Sequence, residues 1–248
     1  MTNRPTILVP LQVLEGESIP KGIPSLLAGA RVLLLGYHVI PEQTATEQAR
    51  EQFAERATER LEEFEGMFEE AGAEVESRMV FTHEAQKTKD RIINEVGCTA
   101  VLIPKATPPV EDVLVPVRGT VGRERLLQVL VGLFAERDVS ITLFHVMGAD
   151  ESEGSVTDLF EGLKGKLVDA GFDRSQIGTQ VVPGENTLAA IEAAADGSNV
   201  VVMGESDPTV ATYVFGLPEE QLAEQFLGPV VVIQRPRPEE TEPAGPGE

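Results

Sequence analysis

The chain contains an internal repeat of apolar strand segments, and this repeat constrains its fold more than any other feature. The segments match in the same order in the two halves of the chain. The matching pairs are Ile7-Leu8-Val9-Pro10-Leu11 with Val113-Leu114-Val115-Pro116-Val117, Gly36-Tyr37-His38-Val39-Ile40 with Leu143-Phe144-His145-Val146-Met147, and Ala100-Val101-Leu102-Ile103 with Val200-Val201-Val202-Met203. Such an ordered set indicates a tandem duplication with its joint near Thr107–Glu111.

Strands and helices alternate along both halves, and this alternation is typical of parallel sheets with right-handed crossovers. The predicted strands are Thr6–Val13, Arg31–Ile40, Ala73–Thr82, Thr99–Ile103, Val113–Arg118, Ser140–Met147, Ile177–Val182, Asn199–Met203 and Pro229–Gln234. The predicted helices are Glu42–Ala71, His83–Val96, Arg123–Glu136, Val156–Ala170, Asn186–Asp196 and Pro218–Phe226. We therefore predict an α/β fold of two tandem, doubly wound parallel-sheet subdomains, 1–108 and 109–236, followed by a disordered acidic tail, 237–248.

The charge balance limits the classes of partner. The 248 residues include 41 Asp and Glu against 20 Lys and Arg, which gives a net charge of −21. Such a surface repels phosphate backbones and anionic lipids, so nucleic-acid and membrane-surface binding are disfavoured. Few lysines and many glutamates favour a protein adapted to a high-salt cytoplasm, and the alternative is an ordinary acidic cytosolic protein.

No segment predicts a membrane span or a leader peptide. The longest apolar stretches, Val32–Ile40 and Leu126–Phe134, are shorter than the roughly 18 residues that a spanning helix needs. Met1–Pro10 lacks the basic region and apolar core of a signal peptide. We expect a soluble, cytoplasmic protein without membrane insertion.

Four segments of the second half resemble the universal stress protein family in order and spacing. They are Asp112-Val113-Leu114-Val115-Pro116-Val117, Leu143-Phe144-His145-Val146, Val200-Val201-Val202-Met203-Gly204 and Pro229-Val230-Val231-Val232-Ile233. The first half resembles the family more weakly. The resemblance implies a five-stranded, doubly wound domain, tandem or dimeric pairing and, in some members, ATP or AMP binding.

The phosphate loop of ATP-binding members is degenerate in this chain. In those members it reads Gly, two residues, Gly, nine residues, then Gly-Ser or Gly-Thr. The chain keeps Gly204 but has Asp207 at the second glycine and Leu217-Pro218 at the final pair, with Gly216 one place early. A carboxylate at this position repels phosphates. In the first half, Pro104 replaces the first glycine.

The resemblance also places a candidate nucleotide site in the second half. Its residues are Val117, Arg118, Gly119, Thr120, Val146, Gly184, Met203, Gly204, Glu205, Ser206 and Gly216. Nucleotide-binding members carry an Asp at the end of the first strand, where this chain has Gln12 and Arg118. Arg118 beside a helix start is compatible with an anion, and the alternative is an arginine paired with a nearby carboxylate. Gly184 either lies near the ligand cleft or allows a tight backbone turn.

Other chemistry-bearing residues have structural interpretations. His38 and His145 occupy matching places near strand ends, which favours partly buried, hydrogen-bonded imidazoles over metal ligands or catalytic groups. Asp150, Glu151 and Glu153 could attract cations weakly, but their spacing fits no calcium loop. Cys98 is the single cysteine and is typical of a small buried hydrophobe.

Two functions follow from the resemblance. The first is a non-enzymatic stress-response or regulatory protein that has lost its ATP site and acts through a protein partner or as a homodimer, with transporter regulation as one form. The alternative is an AMP- or ATP-binding sensor that uses the second half alone. No general base, nucleophile or metal cluster in the sequence indicates an enzyme, and no cofactor is expected apart from weakly bound AMP or ATP.

Overall fold

The computed structural model describes residues 4–118, 122–149, 151–184, 187–204 and 227–235. Its strands are β1 Thr6–Leu11, β2 Arg31–Val39, β3 Glu74–Thr82, β4 Ala100–Ile103, β5 Asp112–Pro116, β6 Ser140–Met147, β7 Ile177–Pro183, β8 Val200–Gly204 and β9 Val230–Ile233. The helices are α1 Ile23–Leu26, α2 Thr46–Glu70, α3 Ala85–Val96, α4 Arg123–Phe134, α5 Glu153–Asp169 and α6 Thr187–Ala195. The predicted helix Pro218–Phe226 and the predicted tail 237–248 lie outside the described residues.

All nine described strands form one mixed sheet in the order β3-β2-β1-β4-β9-β8-β5-β6-β7. Neighbouring strands are parallel except at β4 and β9, which pair antiparallel from Ala100 with Ile233 to Ile103 with Val230. The α/β class and the doubly wound order of each half are therefore confirmed. The two predicted subdomains, however, share a sheet, because β9 covers the edge of β4 that the first half leaves without a fifth strand.

Equivalent hydrogen bonds fix the start of the first and fourth strands in both halves. The Thr99 N–H donates to the Thr6 carbonyl at 2.8 Å, and the Thr6 N–H donates to Thr99 Oγ1 at 3.3 Å. In the second half, the Asn199 N–H donates to the Asp112 carbonyl at 2.9 Å, and the Asp112 N–H donates to Asn199 Oδ1 at 2.9 Å. The two halves thus repeat a side-chain contact as well as a strand order.

The strand register corrects one sequence match. Pro10 pairs with Leu35, whereas its counterpart Pro116 pairs with Phe144. Leu35 therefore corresponds to Phe144, and Gly36 rather than His38 corresponds to His145. The prediction that the two histidines occupy matching places is wrong by two residues. A two-residue slip leaves every side chain on the same face of the strand, so the apolar pattern did not reveal it.

Helices cover both faces of the sheet, because neighbouring strand residues point to opposite sides. Val115 lies in the large buried cluster that includes residues of α2, α4 and α5, whereas Leu114 packs in a second cluster with Ile191 of α6. Leu130 and Phe134 of α4 are buried in the large cluster, as the sequence predicts. Among the described residues, no helix combines the length and apolar character needed to cross a bilayer.

Arg125 and Arg137 of the second half each donate a hydrogen bond to a carbonyl group of the first half. Arg125 Nη1 donates to the carbonyls of Cys98 and Gln234, each at 3.2 Å, which ties α4 to the junction of β4 and β9. Arg137 Nη2 donates to the Ser25 carbonyl at 2.6 Å, at the end of α1. These contacts and the large shared core hold the two halves together.

Candidate functional site

A narrow cleft opens at the carboxyl ends of β5 and β6, beside the start of α6. It is lined by Pro116, Val117, Arg118, Phe144, His145, Val146, Thr187 and Ile191. Three residues of the candidate nucleotide site, Val117, Arg118 and Val146, thus lie together in this cleft. Ligands of open α/β sheets bind at such strand ends.

The remaining candidate residues divide into neighbours of this cleft and residues outside the described part of the chain. A Cβ on Gly184 would lie 3.7 Å from Val146 Cγ1, so Gly184 is next to the cleft. Met203 is buried in the same apolar cluster that Val146 packs against, and Gly204 pairs with Ile233 at the end of β8. Outside the described residues lie Gly119, Thr120, Glu205, Ser206 and Gly216, together with Asp207.

His145 of β6 is the most strongly constrained polar residue of the cleft. Its side chain is only 2% exposed, and its ring meets the Phe160 ring of α5 edge-on at 6.5 Å. Nδ1 lies 2.7 Å from the Val117 carbonyl oxygen, and Nε2 lies 2.8 Å from Glu151 Oε2. The prediction of a buried, hydrogen-bonded imidazole therefore holds for His145.

Glu151 joins the β6–α5 loop to this histidine. Its Oε2 also accepts the Gly148 N–H at 2.9 Å. The Gly148 N–H and the His145 ring hold the pKa of Glu151 below its ordinary value, and the positive charges of His145 and Arg118 act in the same direction. The sequence interpretation of Glu151 as a weak cation attractor missed this contact. The sequence pattern that could have revealed this contact is a histidine near a strand end followed by a glutamate in the turn before a helix.

Arg118 lies at the exposed mouth of the cleft. Its charge contributes to the lowered pKa of Glu151, so the two side chains interact electrostatically. Arg118 thus has an anionic neighbour from its own chain. The arginine can meet an external anion here only in competition with that carboxylate.

The corresponding strand ends of the first half carry different side chains. Tyr37 takes the strand position of Val146; it is 9% exposed, and the Lys89 ammonium lies 5.8 Å from the centre of its ring. The Gln12 N–H, at the end of β1, donates to the Glu17 carboxylate. A bulky side chain and an internal carboxylate thus occupy the strand ends of the first half.

The other predicted polar residues have structural surroundings. His38 packs against the rings of Phe53 and Phe81, and its Nδ1 is buried without a hydrogen-bond partner among the described residues. The expected hydrogen bond of this imidazole is therefore not found there. Cys98 is buried, and burial raises its pKa to about 11. Within the described ranges, no group of His, Cys, Asp and Glu side chains is arranged to hold a metal ion.

Known structures resemble this fold, although no protein-family model and no curated protein sequence matches the chain. A universal stress protein from Archaeoglobus fulgidus DSM 4304 is similar with a TM-score of 0.62 and 16% identity, over 93% of this chain and 96% of that one. A protein from Pseudomonas aeruginosa UCBPP-PA14, provisionally described as a universal stress protein, gives 0.48 and 15% over 94% of each chain. A universal stress protein in complex with cAMP gives 0.39 and 15%, over 50% of this chain and 96% of that one. The first of these similarities shows that the chain has a universal stress protein-like fold, with a mostly parallel sheet.

Proposed function

We propose that this protein is a non-enzymatic stress-response or regulatory protein of the universal stress protein type that does not depend on bound ATP. It acts through contacts with a protein partner or as a homodimer, and regulation of a transporter is one form of this role. The proposal rests on the fold and on the internal carboxylates at the strand ends, where such a fold would hold a nucleotide.

The single observation that carries the proposal is the position of the Glu151 carboxylate. It lies between the Gly148 N–H and the buried His145 ring, and it interacts with Arg118 at the mouth of the cleft. A triphosphate brought to these strand ends would meet a negative charge in place of free hydrogen-bond donors. Asp207, three residues after β8 in the sequence, adds a second carboxylate at a position where ATP-binding members have glycine.

Side chains at the strand ends of the first half also disfavour a bound nucleotide. The bulkier Tyr37 takes the strand position of Val146, and Glu17 accepts the Gln12 N–H just after β1. A nucleotide at these strand ends would meet a larger side chain and an internal carboxylate. We therefore place any remaining affinity for adenine nucleotides in the second half.

An AMP- or ATP-binding sensor is the second candidate because an arginine and apolar side chains line the strand ends of the second half. Val117 and Val146 supply apolar walls, and Arg118 supplies the positive charge that an anion needs. AMP carries less negative charge than ATP and is therefore repelled less by the neighbouring carboxylates. On this basis any nucleotide bound here is AMP rather than ATP.

Calorimetry at high salt, with and without Mg²⁺, tests the proposal. We expect ATP to bind no better than AMP and both to bind more weakly than micromolar, the affinity that corresponds to roughly −8 kcal/mol. Acid extraction of freshly purified protein should release no stoichiometric adenine nucleotide. Micromolar ATP binding that Arg118→Ala abolishes would instead establish the sensor.

A further inference from the structure

We propose that the Glu151 carboxylate is an internal ligand in a small oxyanion-binding site formed by His145 Nε2 and the Gly148 N–H, beside Arg118. A free carboxylate or phosphate of the same size can take its place. This site lies between β6 and α5 and uses none of the residues that follow β8 in the sequence. It goes beyond the proposed function and does not require that adenine nucleotides bind.

The hydrogen bonds of His145 define a cationic site. A carbonyl oxygen and an ionised carboxylate accept hydrogen bonds but donate none. Both ring nitrogens therefore carry hydrogen in this geometry, and the ring is the positively charged imidazolium. The Val117 carbonyl at 2.7 Å and the Phe160 ring fix its orientation, so that the Nε2 hydrogen points to the loop.

Two donors converge on one oxygen atom. Glu151 Oε2 lies 2.8 Å from His145 Nε2 and 2.9 Å from the Gly148 nitrogen. This is an arrangement that would serve any oxyanion, since it involves one buried charged donor and one backbone donor. Arg118 supplies a further positive charge at the same entrance.

The carboxylate can leave this site more easily than the histidine. The Glu151 side chain is 42% exposed, whereas that of His145 is 2% exposed. Departure of Glu151 leaves His145 Nε2 and the Gly148 N–H without their acceptor, so the buried ring must either lose its proton or take another anion as partner. As long as the ring keeps both hydrogens, the site favours exchange of one oxyanion for another over an empty state.

The first half indicates that the fold itself does not need this polar contact. Gly36 takes the place of His145 there, and a Cβ at that position would lie 3.3 Å from side-chain atoms of Leu61 and Val13. The same strand position is therefore packed with apolar groups. The ionic contact is an addition of the second half, next to its cleft.

The test uses the full-length Glu151→Ala variant with formate and inorganic phosphate as separate probes at constant ionic strength. The Gly148 amide resonance and the melting temperature report binding. We expect each probe to shift both signals at millimolar concentration, with an affinity at least about tenfold above that of the wild type. Glu153→Ala is the matched control, because Glu153 is exposed at the start of α5 and should leave the response at the wild-type level.

The two probes and a second substitution distinguish the possible results. A response to formate or to phosphate supports the site and identifies its oxyanion, and the additional change His145→Gln should remove that response. A folded Glu151→Ala variant that responds to neither probe overturns the inference. If Glu151→Ala fails to fold in chloride buffer, formate or phosphate must restore folding, and failure to do so also overturns it. Since no nucleotide is used, neither result decides the ATP proposal.

Discussion

The contact between the two halves depends on a close approach of two glycines, and this makes its contribution to stability measurable. A Cβ on Gly29 would lie 2.0 Å from the Gly132 carbonyl oxygen and 3.2 Å from its carbon. Both atoms belong to the backbone of α4, so no change of rotamer can relieve the clash. Gly29→Ala must therefore move α4 away from the turn that follows α1.

The expected cost follows from overpacking. Extra methyl groups in well-packed interiors cost about 1–3 kcal/mol. For a chain of this length, each kcal/mol lowers the melting temperature by about 2–4 °C. We expect Gly29→Ala to melt roughly 2–12 °C below the wild type when unfolding is followed by circular dichroism at fixed, high KCl.

Gly66→Ala is the matched control because it makes the same chemical change without a clash. A Cβ on Gly66 meets no atom within 4 Å, and the residue lies inside α2. Alanine is favoured over glycine in a helix interior by roughly 0.5–1 kcal/mol, so this variant should melt slightly above the wild type. A Gly29→Ala protein that melts at or above the wild-type temperature would refute the packing of α4 on the first half.

Three further predictions concern the core, salt and pH. Leu130→Asp places a charge at a position that is 1% exposed and should destabilise the fold by several kcal/mol; an unchanged melt would contradict the burial of α4. Stability should rise between low and molar KCl because a net charge of −21 repels itself at low ionic strength, and a flat or falling melting midpoint would exclude adaptation to high salt. The folded pKa of Glu151 is lowered, so its contact contributes stability above its ordinary pKa of about 4.3 and loses it as the pH falls through the folded pKa. The difference in melting temperature between the wild type and Glu151→Gln should accordingly shrink in acid, and a constant difference down to the folded pKa would be inconsistent with an ionised Glu151.

The sequence predicts the strands well because each is a short, nearly continuous apolar run between turn residues. Ser140–Met147 is found with the bounds predicted for it. Helix starts are less well predicted. Helix α5 begins at Glu153 instead of Val156, because the Ser152 side chain accepts the Ser155 N–H at 3.2 Å and caps the helix one turn earlier.

The joining of the halves is not encoded in any local pattern. A fully buried strand such as Val230–Ile233 has the same apolar sequence whether its neighbour runs parallel or antiparallel. Its pairing with β4 is decided by the free edge that the first half offers. The function of Glu151 is hidden for a similar reason, since its partners Gly148 and His145 are identified only when the turn is folded.

The two halves occupy their strand-end donors with carboxylates of their own chain. Glu17 accepts the N–H at the end of β1, and Glu151 accepts the donors at the end of β6. An internal ligand on a short loop acts at an effective concentration on the order of millimolar or higher. An external anion must compete with this internal carboxylate for the donors, whatever its intrinsic affinity for them. Weak binding of free anions by the wild type is therefore compatible with a well-formed site, and removal of the internal carboxylate is the change that distinguishes an occupied site from an absent one.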